Sequence, residues 1–379
     1  MSLINGPRWH WVSNIVACAW FLSSCGGSGD GTITGTAPAY AYVANEGTLT
    51  THSINASTGG LTALVGSPLV FPISFPFGGI NQIVTDPPAR FLYLLHYSGV
   101  HVYAINRNTG ALTAVAGSPF ETNVGPNSLA FDASATHLYV AGSTGPTAPV
   151  NTAISAYSVD SSGALVPLAN YTISGELSTI VTAGNYLYVA GFYTNSITVF
   201  SIGSAGELIQ NVSGSPFATD RQPYSIAVDP SGSVLYTANE GVPTATEATP
   251  GSISAFKIDS STGALTPVLG YPQSIAVHGA ISIDPMGKFL FVPEIGGVSV
   301  YAISAATGAL SAVAGSPFTA GTDPSFVSVD PTDRFVYVVN EGSANVSEFT
   351  LDSTGALTPL AGSPVPVGNN PSDMAIVWQ

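Results

Sequence analysis

The stretch GALTAVAGSPF at 110–120 is repeated as GALSAVAGSPF at 308–318 and as GALTPLAGSPV at 355–365. More divergent copies lie at 60–69, 163–173, 206–217 and 263–273, which makes seven copies in the chain. Their spacing averages about 49 residues, a period typical of propeller blades rather than of helical solenoids. One such unit is too short to bury a core alone, so the repeats predict seven units stacked around an axis.

Each unit also shows the same internal order of short strands. In the unit 225–273, alternating apolar runs at 225–229, 234–239, 253–258 and 265–269 are separated by turns rich in Gly, Pro and Asp. Apolar alternation with a period of two, bounded by turn residues, is the signal of β-strands joined by hairpins. The sequence therefore predicts an all-β, seven-bladed β-propeller of four-stranded blades.

The two ends of the chain are complementary. The pattern of the first strand of a blade occurs for the last time at 373–377, whereas the repeats begin at 40–45 with the pattern of a second strand. Pairing between these two segments would complete one blade and protect an exposed sheet edge. We therefore expect residues 38–379 to form one domain whose ring is closed by the C-terminal strand.

The N-terminal segment predicts export and lipid attachment. Residues 1–24 combine Arg8 with a short apolar run that is too short to span a bilayer, as in a signal peptide. The run ends in Leu22-Ser23-Ser24-Cys25, the pattern of a bacterial lipobox, and a Gly- and Ser-rich tether follows within 25–37. The alternative is an ordinary signal peptide that contains a cysteine. We expect lipidation of Cys25 and a place in the cell envelope, on the outer membrane facing the periplasm or the surface.

The composition restricts the possible partners. The chain has 22 acidic residues against 7 basic ones, so nucleic acid is not an expected partner. It contains no nucleotide-binding fingerprint and no His-Glu-x-x-His motif, and we expect no cofactor. We expect a monomer that contacts the membrane only through its anchor. We expect it to bind a small-molecule or protein ligand at the rim formed by its variable loops, which run from second to third strands and from each fourth strand to the next blade.

That rim carries the candidate site residues. Glutamates follow the second strands of four repeats, where they either form a ring for a metal or a cationic group or simply point to water. The loops that lead into the first strands add a cation and further polar groups. The rim candidates are Glu46, Glu240, Glu294, Glu341, Asn239, Arg221, Tyr224, His278 and, after another second strand, His96.

Two other features have mainly structural interpretations. Asp-Pro at 86–87, 229–230, 284–285 and 330–331 predicts turns, with the carboxylate capping the backbone and the proline setting φ. The aromatic run 71–77 either lines a pocket or fills the space between two blades. Long insertions at 142–152 and 240–252 lengthen the rim loops of two repeats.

The second strands resemble a known repeat. Tyr42-Val-Ala-Asn45, Tyr139-Val-Ala-Gly142 and Tyr337-Val-Val-Asn340 are similar to the Tyr-Val-Thr-Asn repeat of the lactonase family of seven-bladed propellers. With the Gly-Ala-Leu-Thr phrase, the resemblance covers the whole chain beyond the signal. It implies a propeller fold and an activity such as that of 6-phosphogluconolactonase or carboxymuconate cyclase.

The family's site motif is only half present. The enzymes carry Pro-Arg-His where an inner strand begins and Asn-Glu after the next strand; this chain has Pro223-Tyr224-Ser225 and Asn239-Glu240. Our main interpretation is a lipid-anchored binding module without chemistry of its own. The alternative is a hydrolase of a neutral lactone or ester, in which Glu240 or His96 acts as the base and Arg221 or His278 stabilises the oxyanion.

Overall fold

A computed structural model describes residues 38–71, 79–122, 124–143, 152–173, 175–243, 248–249 and 251–378. Within these ranges every regular element is a β-strand, and the strands form seven antiparallel sheets and one short hairpin, Val242–Pro243 with Ala248–Thr249. The innermost strands of neighbouring sheets contact each other in an unbroken cycle. The chain is therefore a seven-bladed propeller, and the predicted fold class is confirmed.

The blades are numbered in ring order, and each is given from the axis outward. Blade I contains Asp373–Trp378, Ala39–Ala44, Thr48–Ile54 and Leu61–Ala63. Blade II contains Ile80–Thr85, Phe91–His96, Gly99–Ile105 and Leu112–Ala114. Blade III contains Gly125–Phe131, His137–Ser143, Thr152–Val159 and Leu165–Ile173. Blade IV contains Leu177–Ala183, Tyr186–Gly191, Ser196–Ile202 and Leu208–Ile209.

The remaining blades repeat this order. Blade V contains Pro223–Val228, Val234–Asn239, Ser252–Ile258 and Leu265–Pro267. Blade VI contains Ser282–Ile283, Phe289–Glu294, Gly297–Ile303 and Leu310–Ala312. Blade VII contains Pro324–Val329, Phe335–Asn340, Asn345–Leu351 and Leu357–Pro359. Short outer pieces pair with the third strands of five blades: Leu69–Val70, Phe217–Ala218, Gln273–Ser274, Phe318–Thr319 and Val365–Pro366.

The ring closes as predicted. Asp373–Trp378 pairs antiparallel with Ala39–Ala44, with Tyr42 opposite Ala375 and Val43 opposite Met374. The Asp373 carboxylate also accepts a hydrogen bond from the Ile83 backbone N–H of blade II, at 2.9 Å. The C-terminal strand thus joins the first blade and the next one.

The outer strands differ from the prediction, because the Gly-Ser-Pro segment, which is Gly270-Tyr271-Pro272 in blade V, interrupts them. In blade V the fourth strand ends at Pro267, and the chain pairs with the third strand again only at Gln273–Ser274. Where the ladder is interrupted in five other blades, the serine hydroxyl oxygen accepts the third strand's N–H at 2.7–2.9 Å. The serine therefore takes the place of a missing strand carbonyl, which explains why the segment recurs.

The two most repeated sequence motifs meet between blades. The second-strand tyrosine of one blade donates its hydroxyl hydrogen bond to the carbonyl of the Gly-Ala-Leu-Thr glycine of the next blade, as in Tyr42 to Gly110 at 2.9 Å and Tyr236 to Gly308 at 2.7 Å. Six blade junctions have this contact, including Tyr337 to Gly59, which spans the closure; blade VI has Phe291 in the tyrosine position. Buried hydroxyls need such partners.

The Asp-Pro turns are confirmed as structural. The carboxylate of Asp330 accepts the backbone N–H groups of Arg334 and Phe335 at 2.7 and 2.6 Å. Asp86, Asp229 and Asp284 likewise accept the N–H of the residue five positions later, and so does Asp132, which precedes an alanine. Hydrophobic packing among the described residues lies in seven layers, each between two neighbouring blades. Phe71 is buried in the layer of blades I and II; residues 72–77 of its aromatic run lie outside the described ranges.

Candidate functional site

The upper rim carries the site candidates. We define it as two sets of segments. The first set is the loops between second and third strands: 45–47, 97–98, 192–195, 295–296, 341–344 and the described part of 240–251. The second set is the described connections into first strands: 79, 121–122, 124, 175–176, 219–222, 275–281, 320–323 and 367–372. Six of the seven Lys and Arg residues fall in the described ranges, and Arg221 alone of these six lies on this rim. Arg90, Arg107, Lys257, Lys288 and Arg334 lie at the opposite rim.

The four glutamates that follow second strands do not form one cluster. The Glu46 carboxylate accepts a hydrogen bond from the Asn370 side chain at 2.9 Å, and the Glu294 carboxylate accepts one from the Ser299 hydroxyl. Across the described ranges, no three His, Cys, Asp or Glu side chains come together as a group able to hold a metal ion. Each glutamate therefore has to be considered within its own blade.

Several candidates meet where blades V and VI join. Tyr224 is the extra residue of a β-bulge, because Pro223 pairs with Asn239 and Ser225 pairs with Ala238. A bulge redirects its side chain, and the buried Tyr224 hydroxyl donates a hydrogen bond to the Gly279 carbonyl at 2.8 Å. Tyr224 therefore connects blade V to the loop that carries His278.

Glu240 lies beside this tyrosine. Its backbone N–H donates to the Gln222 carbonyl at 3.1 Å, and its side chain is exposed. Burial raises the pKa of the Tyr224 hydroxyl well above its usual range, and the negative charge of Glu240 raises it further. An exposed carboxylate thus acts electrostatically on a buried, neutral phenol.

Arg221 and Asn239 belong to the same corner but have different surroundings. The exposed Arg221 has its backbone N–H bonded to the Asp220 carboxylate at 2.9 Å. Asp220 accepts the Ser252 hydroxyl at 2.6 Å, and the buried Asn239 amide donates to the same hydroxyl at 3.1 Å. Asn239 therefore holds the two ends of the long loop together, and its amide does not reach the surface.

His278 extends the corner toward blade VII. Its backbone N–H donates to the Pro293 carbonyl at 2.9 Å, and its Nε2 lies 4.0 Å from the Asp323 carboxylate. The Asp323 carbonyl in turn accepts the backbone N–H of Glu341 at 2.9 Å. Glu240 thus acts on Tyr224, Tyr224 is bonded to the loop that carries His278, and Arg221 lies three residues before Tyr224 in the connection into blade V.

Sequence reasoning missed two members of this corner. The half-exposed Tyr193 follows the second strand of blade IV, at the position after the one where other repeats have glutamate. Its pKa is raised by burial and then by the charges of Glu176 and Glu240, so both carboxylates act on it. Burial also raises the pKa of Glu176. The only sequence signal was the aromatic pair Phe192-Tyr193 at the position where other repeats have Glu-Gly.

His96 belongs to a different part of the rim. It lies in blade II, three blades from Glu240, and is 1% exposed against Phe71 and Tyr97. Its Nδ1 is 2.8 Å from the Ser98 hydroxyl oxygen. Glu240 and His96, which the sequence offered as alternative bases, therefore belong to separate blades.

The fold and the rim geometry define a propeller with a polar corner at the joint of two blades. The family described as "Lactonase, 7-bladed beta-propeller" matches residues 91–216 and 272–372, more than half of the chain. The chain therefore belongs to that family, as its second strands indicated. No curated protein matches the chain.

Solved structures agree on the fold. The periplasmic gluconolactonase of Pseudomonas aeruginosa shares 18% identity and a TM-score of 0.71, over 90% of this chain and 99% of its own. A Bacteroides uniformis protein, provisionally assigned as a 6-phosphogluconolactonase, has 17% identity and a TM-score of 0.71, over 90% and 99% of the two chains. No helix in the described ranges has the length and apolar character needed to cross a bilayer.

Proposed function

We propose that this protein hydrolyses a neutral lactone or ester at the corner of blades V and VI. Support comes from membership of the lactonase family and from structural neighbours with gluconolactonase names, which favour the hydrolase over a binding module. The observation that carries the proposal is the buried Tyr224, whose hydroxyl bonds the Gly279 carbonyl beside His278 and whose pKa is raised by the charge of Glu240.

Each group has a role in this reaction. The Glu240 carboxylate takes a proton from a water molecule as the water oxygen bonds to the carbonyl carbon. Arg221 and His278 donate to the resulting oxyanion. The tetrahedral species then collapses, the ring C–O bond breaks, and the leaving oxygen takes the proton from Glu240. The product is the open hydroxy acid.

The charge distribution argues for a neutral substrate. A phosphorylated or carboxylated lactone needs cationic groups that bind it in a fork or a cluster. Of the basic residues in the described ranges only Arg221 is on the upper rim, and the chain carries a net charge of −15. An anionic substrate would be repelled from this rim, whereas an uncharged sugar lactone or a simple ester would not.

A panel of lactones and esters tests the proposal. Wild type is compared with Glu240→Gln, and with Glu46→Gln as the matched control, since Glu46 holds the same position in blade I. Removing a general base lowers kcat by about 100-fold or more, while the Glu46 variant should keep wild-type turnover. Absence of turnover on every neutral lactone and ester, or equal turnover in the Glu240 variant, would refute the assignment.

We further propose that the enzyme is a monomer attached to the cell envelope through a lipid on Cys25. This residue lies outside the described ranges, and the support is the lipobox and tether in the sequence. Intact mass and detergent-phase partitioning test the anchor, with Cys25→Ser as the variant. A wild-type chain that stays in the aqueous phase like the variant would contradict it.

A further inference from the structure

A serine in blade II lies between two histidines. Ser98 follows His96 in the turn between the second and third strands, and its side chain is exposed. Its hydroxyl oxygen is 2.8 Å from His96 Nδ1 and 2.9 Å from His101 Nε2. A hydroxyl within hydrogen-bond reach of an imidazole is the arrangement that activates serine nucleophiles.

The backbone favours one direction for these hydrogen bonds. The Ser98 N–H points to His96 Nδ1 at 3.4 Å, which favours the tautomer in which this nitrogen carries the lone pair. We assign that tautomer, in which the Ser98 hydroxyl donates to His96 Nδ1 and His101 Nε2 donates to the Ser98 oxygen. The hydrogen bonds then run from His101 through Ser98 to His96, and His96 is the proton acceptor.

The surroundings keep both rings in place. His96 is 1% exposed, and its ring centroid lies 5.8 Å from that of Phe71 and 4.2 Å from that of Tyr97. His101 stands edge-on to Phe71 at 5.3 Å, and burial lowers the pKa of His101, which favours its neutral form. A fixed imidazole beside an accessible hydroxyl is what activation of a serine nucleophile requires.

We propose that Ser98 is an activated nucleophile that accepts acyl or phosphonyl groups from small neutral esters at a second site, independent of Glu240. The Ser98 proton passes to His96 as Oγ bonds to the carbonyl carbon; the C–O bond of the ester then breaks and the leaving alcohol takes that proton. Water repeats the sequence on the acyl-serine: it gives a proton to His96, releases the acid, and Ser98 recovers the proton.

Blade VII offers a matched comparison. Ser343 lies in the corresponding turn at the upper rim and is partly buried where Ser98 is exposed. Its hydroxyl faces the Asn345 side-chain oxygen at 3.2 Å and accepts the Thr322 N–H at 3.0 Å. An amide oxygen cannot take the serine proton as an imidazole does. Ser343 therefore reports the reactivity of an ordinary turn serine in the same molecule.

A fluorophosphonate probe tests the proposal on the full chain. Attack by Ser98 expels fluoride, the serine proton passes through His96 to solvent, and the phosphonyl group stays on Oγ. Peptide mass spectrometry should locate a single phosphonyl group on Ser98, with labelling about 100-fold faster than at Ser343 in the same sample. Ser98→Ala should abolish the label, and Ser343→Ala should leave it unchanged.

His96→Gln should slow labelling of Ser98 by a similar factor, with circular dichroism melting to establish that the variant is folded. The comparison of Ser98 with Ser343 inside the wild-type protein stands even if that variant does not fold. Equal labelling of the two serines, or labelling of folded His96→Gln at the wild-type rate, would overturn the proposal. The label needs no lactone turnover, so this outcome is separate from that of the Glu240 experiment.

Discussion

The packing between blades IV and V predicts how much Gly263→Ala destabilises the protein. Gly263 has a φ of +72°, and its carbonyl accepts the Tyr188 hydroxyl at 3.2 Å. A Cβ added there would lie 2.3 Å from Tyr186 Cδ1 and 2.6 Å from its Cγ. The Tyr186 ring has little freedom to move, because its hydroxyl is bonded to the Ser261 carbonyl at 2.7 Å.

The expected cost has two parts. A left-handed backbone costs an alanine about 1–2 kcal/mol, and forcing a methyl group into a packed joint costs about 1–3 kcal/mol. We therefore expect Gly263→Ala to lower the free energy of unfolding by about 2–5 kcal/mol. A shift of the carbonyl away from Tyr188 would add about 1 kcal/mol for the lost hydrogen bond.

Gly270→Ala is the matched control in the same blade. Gly270 has a φ of +89°, and a Cβ added there meets nothing within 4 Å. Its cost should be the backbone part alone, about 1–2 kcal/mol. Urea unfolding of wild type and both variants measures the difference, provided that the m-values agree. If Gly263→Ala is no more destabilising than Gly270→Ala, the argument that these glycines are selected by the blade joint is wrong.

Two further predictions concern stability. Burial and the neighbouring Asp333 raise the pKa of Asp284 to about 6, so the folded protein favours protonated Asp284. Protonation of Asp284 therefore contributes about 3 kcal/mol to the free energy of unfolding below pH 4, and this contribution is lost as the pH rises through 6. Asp333→Asn should raise the melting temperature at pH 6–7 and flatten its pH dependence, and an unchanged profile would contradict the coupling. Deleting residues 373–379 removes the buried Met374 and Val377 and exposes Ala39–Ala44, so it should cost on the order of 5 kcal/mol. Unchanged melting would argue against closure.

Much of the fold could be predicted because every repeat carries the same pattern of strands and turns. The seven-fold phrase, the alternating strands and the offset between the two chain ends led to the blade number and to the pairing of Asp373–Trp378 with Ala39–Ala44. The broken outer strand was missed. Pattern alone does not show that Ser118 replaces a carbonyl for Val102 across the ladder.

The candidate site was predicted less completely, because it depends on which loops meet. The sequence nominated Glu240 and His96 for one role, and the ring places them in blades V and II. Tyr193 was not nominated, since its relation to Glu240 crosses a blade boundary.

The amino-acid sequence by itself determined the blade number, the strand order and the ring closure, since these follow from local alternation repeated seven times. Only the tertiary structure decided which rim residues are neighbours and that Ser98 lies between His96 and His101. The physical reason is that strand patterns are local in the chain. Rim contacts instead depend on bulges, on side-chain direction and on the rotation from one blade to the next. None of these three can be predicted from a short stretch of sequence.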